Sequence, residues 1–253
     1  MKRRWITAAL AILMLALVGV GIVQSSRLAP VVVFQDRELT NTELAYYYWS
    51  EFFYFSEAYG EYLGDAVDFS RPLQDQPYDN TRSWQDYLLE ETLSTLRDNL
   101  AMVAEAESRG FTLPDEYDNT YQQVLVNFAA AAQSGGYEDL QAYLRASYGS
   151  GATEESFRAY LHDAHLAAAY ADEILEQCLP TDEACRAYFL QHQAEYETYC
   201  DAVADDETTW MEQVREDLQN EAYQNEIRSI RGAYSCQVNY DAIVLTPPEG
   251  LYA

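Results

Sequence analysis

The hydrophobic pattern divides the chain into one apolar run, two short strand-like stretches and a succession of helical segments between them. From Trp5 to Val23 only Thr7 and two glycines interrupt apolar residues. That is roughly 19 positions, about enough to cross a bilayer core as a helix. Val31-Val32-Val33-Phe34 then reads as a brief strand, β-branched and apolar. Gln35-Asp36-Arg37-Glu38 turns the chain. Thr40 and Glu43 have the spacing of a capping box, so a helix begins near Asn41 and runs to about Tyr59. Its Tyr46, Tyr47, Tyr48, Trp49, Phe52, Phe53, Tyr54, Phe55 and Tyr59 cover most of its circumference. A helix apolar all round is central and buried on several sides.

Residues 60–82 read as irregular, with Pro72, Pro77 and several Asp and Asn. Trp84, Tyr87, Leu88, Leu93, Leu96, Leu100 and Val103 mostly keep the spacing of an amphipathic helix, which runs from Ser83 to Ser108. Further helices follow over 112–133, 137–148, 153–177, 181–199 and 210–231, with a short acidic linker from Asp201 to Glu207. Val238 to Leu245 alternates like a strand, and Pro247-Pro248 ends it. A lone strand leaves its backbone groups unpaired, so the two end strands are expected to pair with each other. The expected fold is therefore mostly α: a multi-helix domain with a small strand pair formed by the N- and C-terminal ends, preceded by one transmembrane helix. Residues 1–27 form the cytoplasmic start and membrane anchor, with the membrane helix at about 5–23. Residues 28–199 form the helical domain, and 200–253 a C-terminal helix and returning strand that complete it.

Charge sharpens this picture. Lys2, Arg3 and Arg4 precede the apolar run, which by the positive-inside rule leaves the amino terminus in the cytoplasm and the rest outside. A cleaved signal peptide has the same charged start. The run is longer than a usual signal core, though, and Val23-Gln24-Ser25-Ser26-Arg27 offers no clear small-x-small site. Either reading exports the domain. Beyond those three cations the chain holds 12 basic residues against 42 acidic ones, a formal charge of −30. Such a surface excludes nucleic acid as a partner and anionic headgroups as a docking surface. Disorder is excluded too, because 49% of residues are apolar, with 22 tyrosines, 9 phenylalanines and 4 tryptophans to build a core.

An exported chain with four cysteines suggests two disulfides. Pairing close in sequence joins Cys178 to Cys185 and Cys200 to Cys236; the second closes a loop of about 36 residues, stabilising by ~3–4 kcal/mol in the chain-entropy model. Four buried free thiols are the plainer alternative. No cysteine pair has the short ligand spacing of a zinc site. His162 and His165 share a helical face but lack a third ligand of clear spacing, and with His192 they read as surface histidines. Neither a nucleophile elbow, a P-loop nor a Rossmann glycine pattern is present, so no catalytic residue, metal or cofactor is assigned.

The anchor followed by Val32-Val33-Phe34-Gln35-Asp36-Arg37-Glu38-Leu39-Thr40 and an aromatic helix resembles the start of the SurA/PrsA-like extracytoplasmic foldases. Ala106-Glu107-Ser108-Arg109-Gly110-Phe111-Thr112-Leu113 and the Tyr148-Gly149-Ser150-Gly151 turn before Thr153-Glu154-Glu155-Ser156-Phe157 are similar to segments of that family. Helix 181–199 looks like the one that precedes its parvulin isomerase domain, and Val238–Leu245 like its returning strand. Only Cys200 to Thr209 separates that helix from the next, whereas a compact domain needs at least about 50 residues. The resemblance therefore implies the chaperone part without the isomerase part.

Two functions follow as expectations. One is a membrane-tethered extracytoplasmic chaperone that binds unfolded or emerging exported polypeptides, with Tyr47, Trp49, Phe52, Phe53, Tyr54 and Trp84 as candidate cleft-lining residues. Each of these six also suits ordinary core. The other is a structural or adaptor protein of the cell envelope with one dedicated partner. An active prolyl isomerase would require an inserted α/β domain.

Overall fold

The computed structural model describes residues 30–200 and 207–252. It is mostly helical, 71% in seven helices, with one small three-stranded antiparallel sheet. In chain order the elements are β1 (Pro30–Phe34), β2 (Arg37–Thr40), α1 (Asn41–Leu63), α2 (Trp84–Ser108), α3 (Asp115–Ser134), α4 (Leu140–Tyr148), α5 (Glu154–Gln177), α6 (Asp182–Cys200), α7 (Glu207–Ala233) and β3 (Cys236–Val238). The expected membrane helix at 5–23 and residues 201–206 of the expected linker lie outside the described residues. Among the described residues, no helix is long and apolar enough to cross a membrane.

The two ends of the domain do pair: β1 runs antiparallel to β3, with Val32 opposite Val238 and Phe34 opposite Cys236. Two expectations need correction. Arg37–Thr40, whose first half was read as part of a turn, is the third strand of a sheet ordered β2-β1-β3. The turn itself is only Gln35-Asp36, with Gln35 at φ 53. Glu38 faces solvent and Leu39 is buried, so the strand alternates although its charges read as a turn. The returning strand is also shorter and earlier than Val238–Leu245. After β3 the chain makes a single 3₁₀ turn at Tyr240–Ala242 and continues without a ladder. Its backbone is satisfied by a side chain instead: the Asn41 amide donates to the Ala242 carbonyl at 2.9 Å and accepts from the Val244 N–H at 2.6 Å.

Contacts divide the described residues into two compact units. The first comprises residues 30–97, 120–162 and 235–252; the second comprises 98–119, 163–200 and 207–234. In the first unit, α1 starts where the sequence placed it. Thr40 Oγ1 accepts from Glu43 N, and Glu43 Oε2 accepts from Thr40 N at 2.8 Å, a complete capping box. Tyr46, Tyr48, Trp49 and Phe52 then pack with Leu88, Leu125, Leu144 and Phe157 into one core. Tyr46 meets the Tyr148 and Phe157 rings edge-on at 4.9 and 5.5 Å, and its hydroxyl bonds Ser156 Oγ at 2.8 Å. A buried phenol with a polar partner avoids the penalty of an unpaired hydroxyl.

In the second unit Cys185, Tyr196, Met211 and Val214 form a small core. Asp98 takes a two-pronged hydrogen bond from Arg231, and the Tyr234 hydroxyl donates to Glu105 at 2.8 Å. The expected Cys178–Cys185 bridge is not formed: both are free thiols, as is Cys236. Cys185 is buried in the small core with Met211 and Val214, and Cys178 directly follows the end of α5. The side chain of Cys200 lies outside the described residues.

Candidate functional site

Helix α1 changes character halfway along its length. Up to Phe52 nearly every apolar side chain is buried by α2, α4 and α5 residues of the same unit. Beyond it Phe55 meets rings of the 64–83 segment and of α2, and other aromatic rings come to the surface: Phe53 is 46% exposed, Tyr54 59%, Tyr59 43% and Tyr62 89%. The expectation of a helix buried on all sides therefore holds for the first half alone. Of the six residues expected to line a binding cleft, Tyr47, Trp49, Phe52 and Trp84 are buried core. Trp84 is further tied down by its indole N–H, which donates to the Ala66 carbonyl at 2.9 Å. Only Phe53 and Tyr54 are available to a partner.

What the structure brings together instead is a continuous line of rings. Tyr54 and Tyr59 stand 6.5 Å apart, Tyr59 and Phe55 5.0 Å, Phe55 and Tyr87 6.1 Å, and Tyr87 and Tyr78 stack at 4.3 Å with their planes 15° apart. Tyr62 continues it on α1, one turn beyond Tyr59. The far end is set by the segment between α1 and α2. Gly64, at φ 52, lets the chain leave α1 in a conformation open to glycine. Gln76 bonds the Asp68 N–H and the Asp68 and Arg71 carbonyls, closing the segment on itself. Asp79 Oδ1 then accepts from the N–H groups of Thr81 and Arg82 at 2.8 and 2.9 Å, a tight turn that holds Tyr78 and Arg82 in place.

The polar groups along this line are chiefly acidic. Arg82 lies 5.1 Å over the Tyr78 ring and bonds Asp79 and Glu90 at 2.7 and 2.6 Å. Hydrogen bonds, first those from Thr81, hold the Asp79 carboxyl well below the usual carboxylate range. Glu51 goes the other way: partial burial, and then the neighbouring Glu91, push its carboxyl up. The Tyr87 phenol is also pushed up, by burial and then by Glu91, Tyr78, Glu51 and Tyr59 around it. Glu51 lies one helical turn before Phe55 and Glu91 one turn after Tyr87, so both carboxylates flank the Phe55–Tyr87 ring contact. Glu51, Tyr59, Tyr78, Tyr87 and Glu91 were not singled out from the sequence as binding residues. The available signal was the interleaving of Glu51, Glu57, Glu61 and Asp65 with the later aromatics of α1.

Among the described residues no group of three His, Cys, Asp or Glu is placed to hold a metal ion. A cleft in this unit, between Asn41, Thr42, Tyr148, Gly149–Gly151 and Val244, has a volume of about 20 Å³, room for a water molecule and little more. The arrangement offers ring faces and carboxylates, which suits binding more than bond chemistry. Comparison of the chain with protein-family models, with curated proteins and with solved structures gave no match.

Proposed function

We propose that this chain is a chaperone-like, polypeptide-binding protein that works outside the cytoplasm, tethered to the membrane through residues 5–23. In this reading it holds unfolded or emerging exported segments and has no isomerase site of its own. The observation that carries the proposal is the line of exposed and half-exposed rings from Tyr62 to Tyr78. Clustered aromatics left at a surface mark interaction sites more often than isolated ones do. Tyrosine suits the task, because it offers a large amphipathic contact with few torsions to immobilise. The likeness of the sequence to extracytoplasmic foldases points the same way, and the strongly acidic coat keeps such a surface soluble.

The test dilutes a chemically denatured client into buffer with the full-length chain at several ratios and two salt concentrations, and follows light scattering. Suppression near stoichiometric ratios that persists in salt is expected. The triple variant Tyr54→Ser, Tyr59→Ser, Tyr62→Ser should need several-fold more protein for the same effect, with an unchanged circular-dichroism spectrum. An absence of suppression at every ratio would sink the proposal and leave an envelope adaptor with one dedicated partner.

A further inference from the structure

Arg82 shows what kind of group this surface accommodates. Its guanidinium lies against the Tyr78 ring and between two carboxylates, Asp79 and Glu90. Cation–ring contact and paired carboxylates are the two interactions that hold a guanidinium best. On the other face of the same stack the pattern recurs without its cation. The Tyr87 ring lies parallel to Tyr78; Glu91 stands one turn beyond Tyr87 on α2, and Glu51 one turn before Phe55 on α1, whose ring meets Tyr87 at 6.1 Å. Among the described residues, neither Glu51 nor Glu91 is bonded to a cation of this chain. From Glu51 to Arg82 the sequence carries seven carboxylates (Glu51, Glu57, Glu61, Asp65, Asp68, Asp75, Asp79) against Arg71 and Arg82, and Arg82 is already engaged.

We propose that the ring surface selects cation-bearing polypeptide: an extended segment presenting Arg or Lys to Glu51 and Glu91 beside Tyr87, with a neighbouring apolar or aromatic residue laid against Tyr59 and Tyr54. The proposal rests on the reading of this surface as a polypeptide site and adds what it chooses. Charge complementarity carries it. A bound cation is attracted by two carboxylates that flank one ring contact, whereas an acidic segment is repelled by them. The rings supply contact area that a purely acidic patch lacks, so a cation without an apolar neighbour binds weakly.

Fluorescence anisotropy with the full-length chain and three labelled twelve-residue peptides tests this. All three share one apolar and aromatic framework, with two positions filled by Arg, Gln or Glu. The Arg peptide should bind at least tenfold tighter than the Gln peptide, and the Glu peptide more weakly than either. The double variant Glu51→Gln, Glu91→Gln should bring the Arg peptide down to the Gln peptide's affinity and leave the Gln peptide where it was; circular dichroism checks that it folds. Equal binding of the Arg and Gln peptides overturns the selection but leaves the polypeptide site standing. An Arg preference untouched by the double variant overturns the assignment to Glu51 and Glu91. If none of the three peptides binds, the selection and the underlying function both fail.

Discussion

Asn41 is buried in the first turn of α1, and its amide grips the backbone of the C-terminal segment at Ala242 and Val244. Asn41→Leu removes both of these half-buried hydrogen bonds, at about 0.5–1.5 kcal/mol each. We therefore expect urea unfolding to show a loss of about 1–3 kcal/mol. Asn41→Asp should lose less, because it still accepts from Val244 and places a negative charge at a helix N-terminus. A loss no larger for Leu than for Asp would mean that the clamp contributes nothing. The sequence places Asn41 at the start of a helix, but not against the other end of the chain. That pairing spans 201 positions, a distance local propensity does not encode.

At the scale of elements, α1 shows both what was legible and what was not. Its beginning was legible, because a capping box is a local motif complete within four residues. Thr40→Ala should cost about 0.5–2 kcal/mol, read as a lower urea midpoint with unchanged slope; an unchanged midpoint would mean the box is formed but inconsequential. The second half of the helix was misread. Nine aromatics suggested burial on every side, yet burial needs neighbours, and the ring contacts that α4 and α5 make with this helix are to Tyr46 and Tyr47 in its first half. Carboxylates at 51, 57, 61 and 65 were the local hint that solvent, not core, surrounds the later turns. Strand β2 was missed for the opposite reason: its charged residues face outward and its single buried residue, Leu39, is too little to give a period.

For the whole molecule, tyrosine chemistry links the core to alkaline stability. Burial pushes the phenols of Tyr46, Tyr48, Tyr148 and Tyr160 above the ordinary tyrosine range. In Tyr196 burial does the same, aided by its hydrogen bond to Asp217. These groups stay protonated in the folded chain while the unfolded chain loses its tyrosine protons near pH 10. The unfolded state then binds fewer protons, so stability falls as pH rises past that point. Absorbance at 295 nm followed upward in pH should therefore show a late, steep rise that coincides with loss of helical circular dichroism. A gradual titration that is complete before the helices melt would contradict the burial of these rings.

The sequence by itself determined the elements and their class: seven helices where periodicity and caps indicated them, a strand at each end of the domain and the pairing of those strands. Such features follow from residues within a few positions of one another, or from backbone groups that must find partners somewhere. Tertiary structure alone decided which aromatics are core and which are surface. It also put Asn41 in place of a ladder after β3, left Cys178 and Cys185 as free thiols, and brought the rings of α1 and α2 together at Tyr87. Each of these depends on which distant segment packs against a side chain. A period of 3.6 shows that a helix has faces; only the arrival of α2, α4 and α5 settles which of them water still reaches.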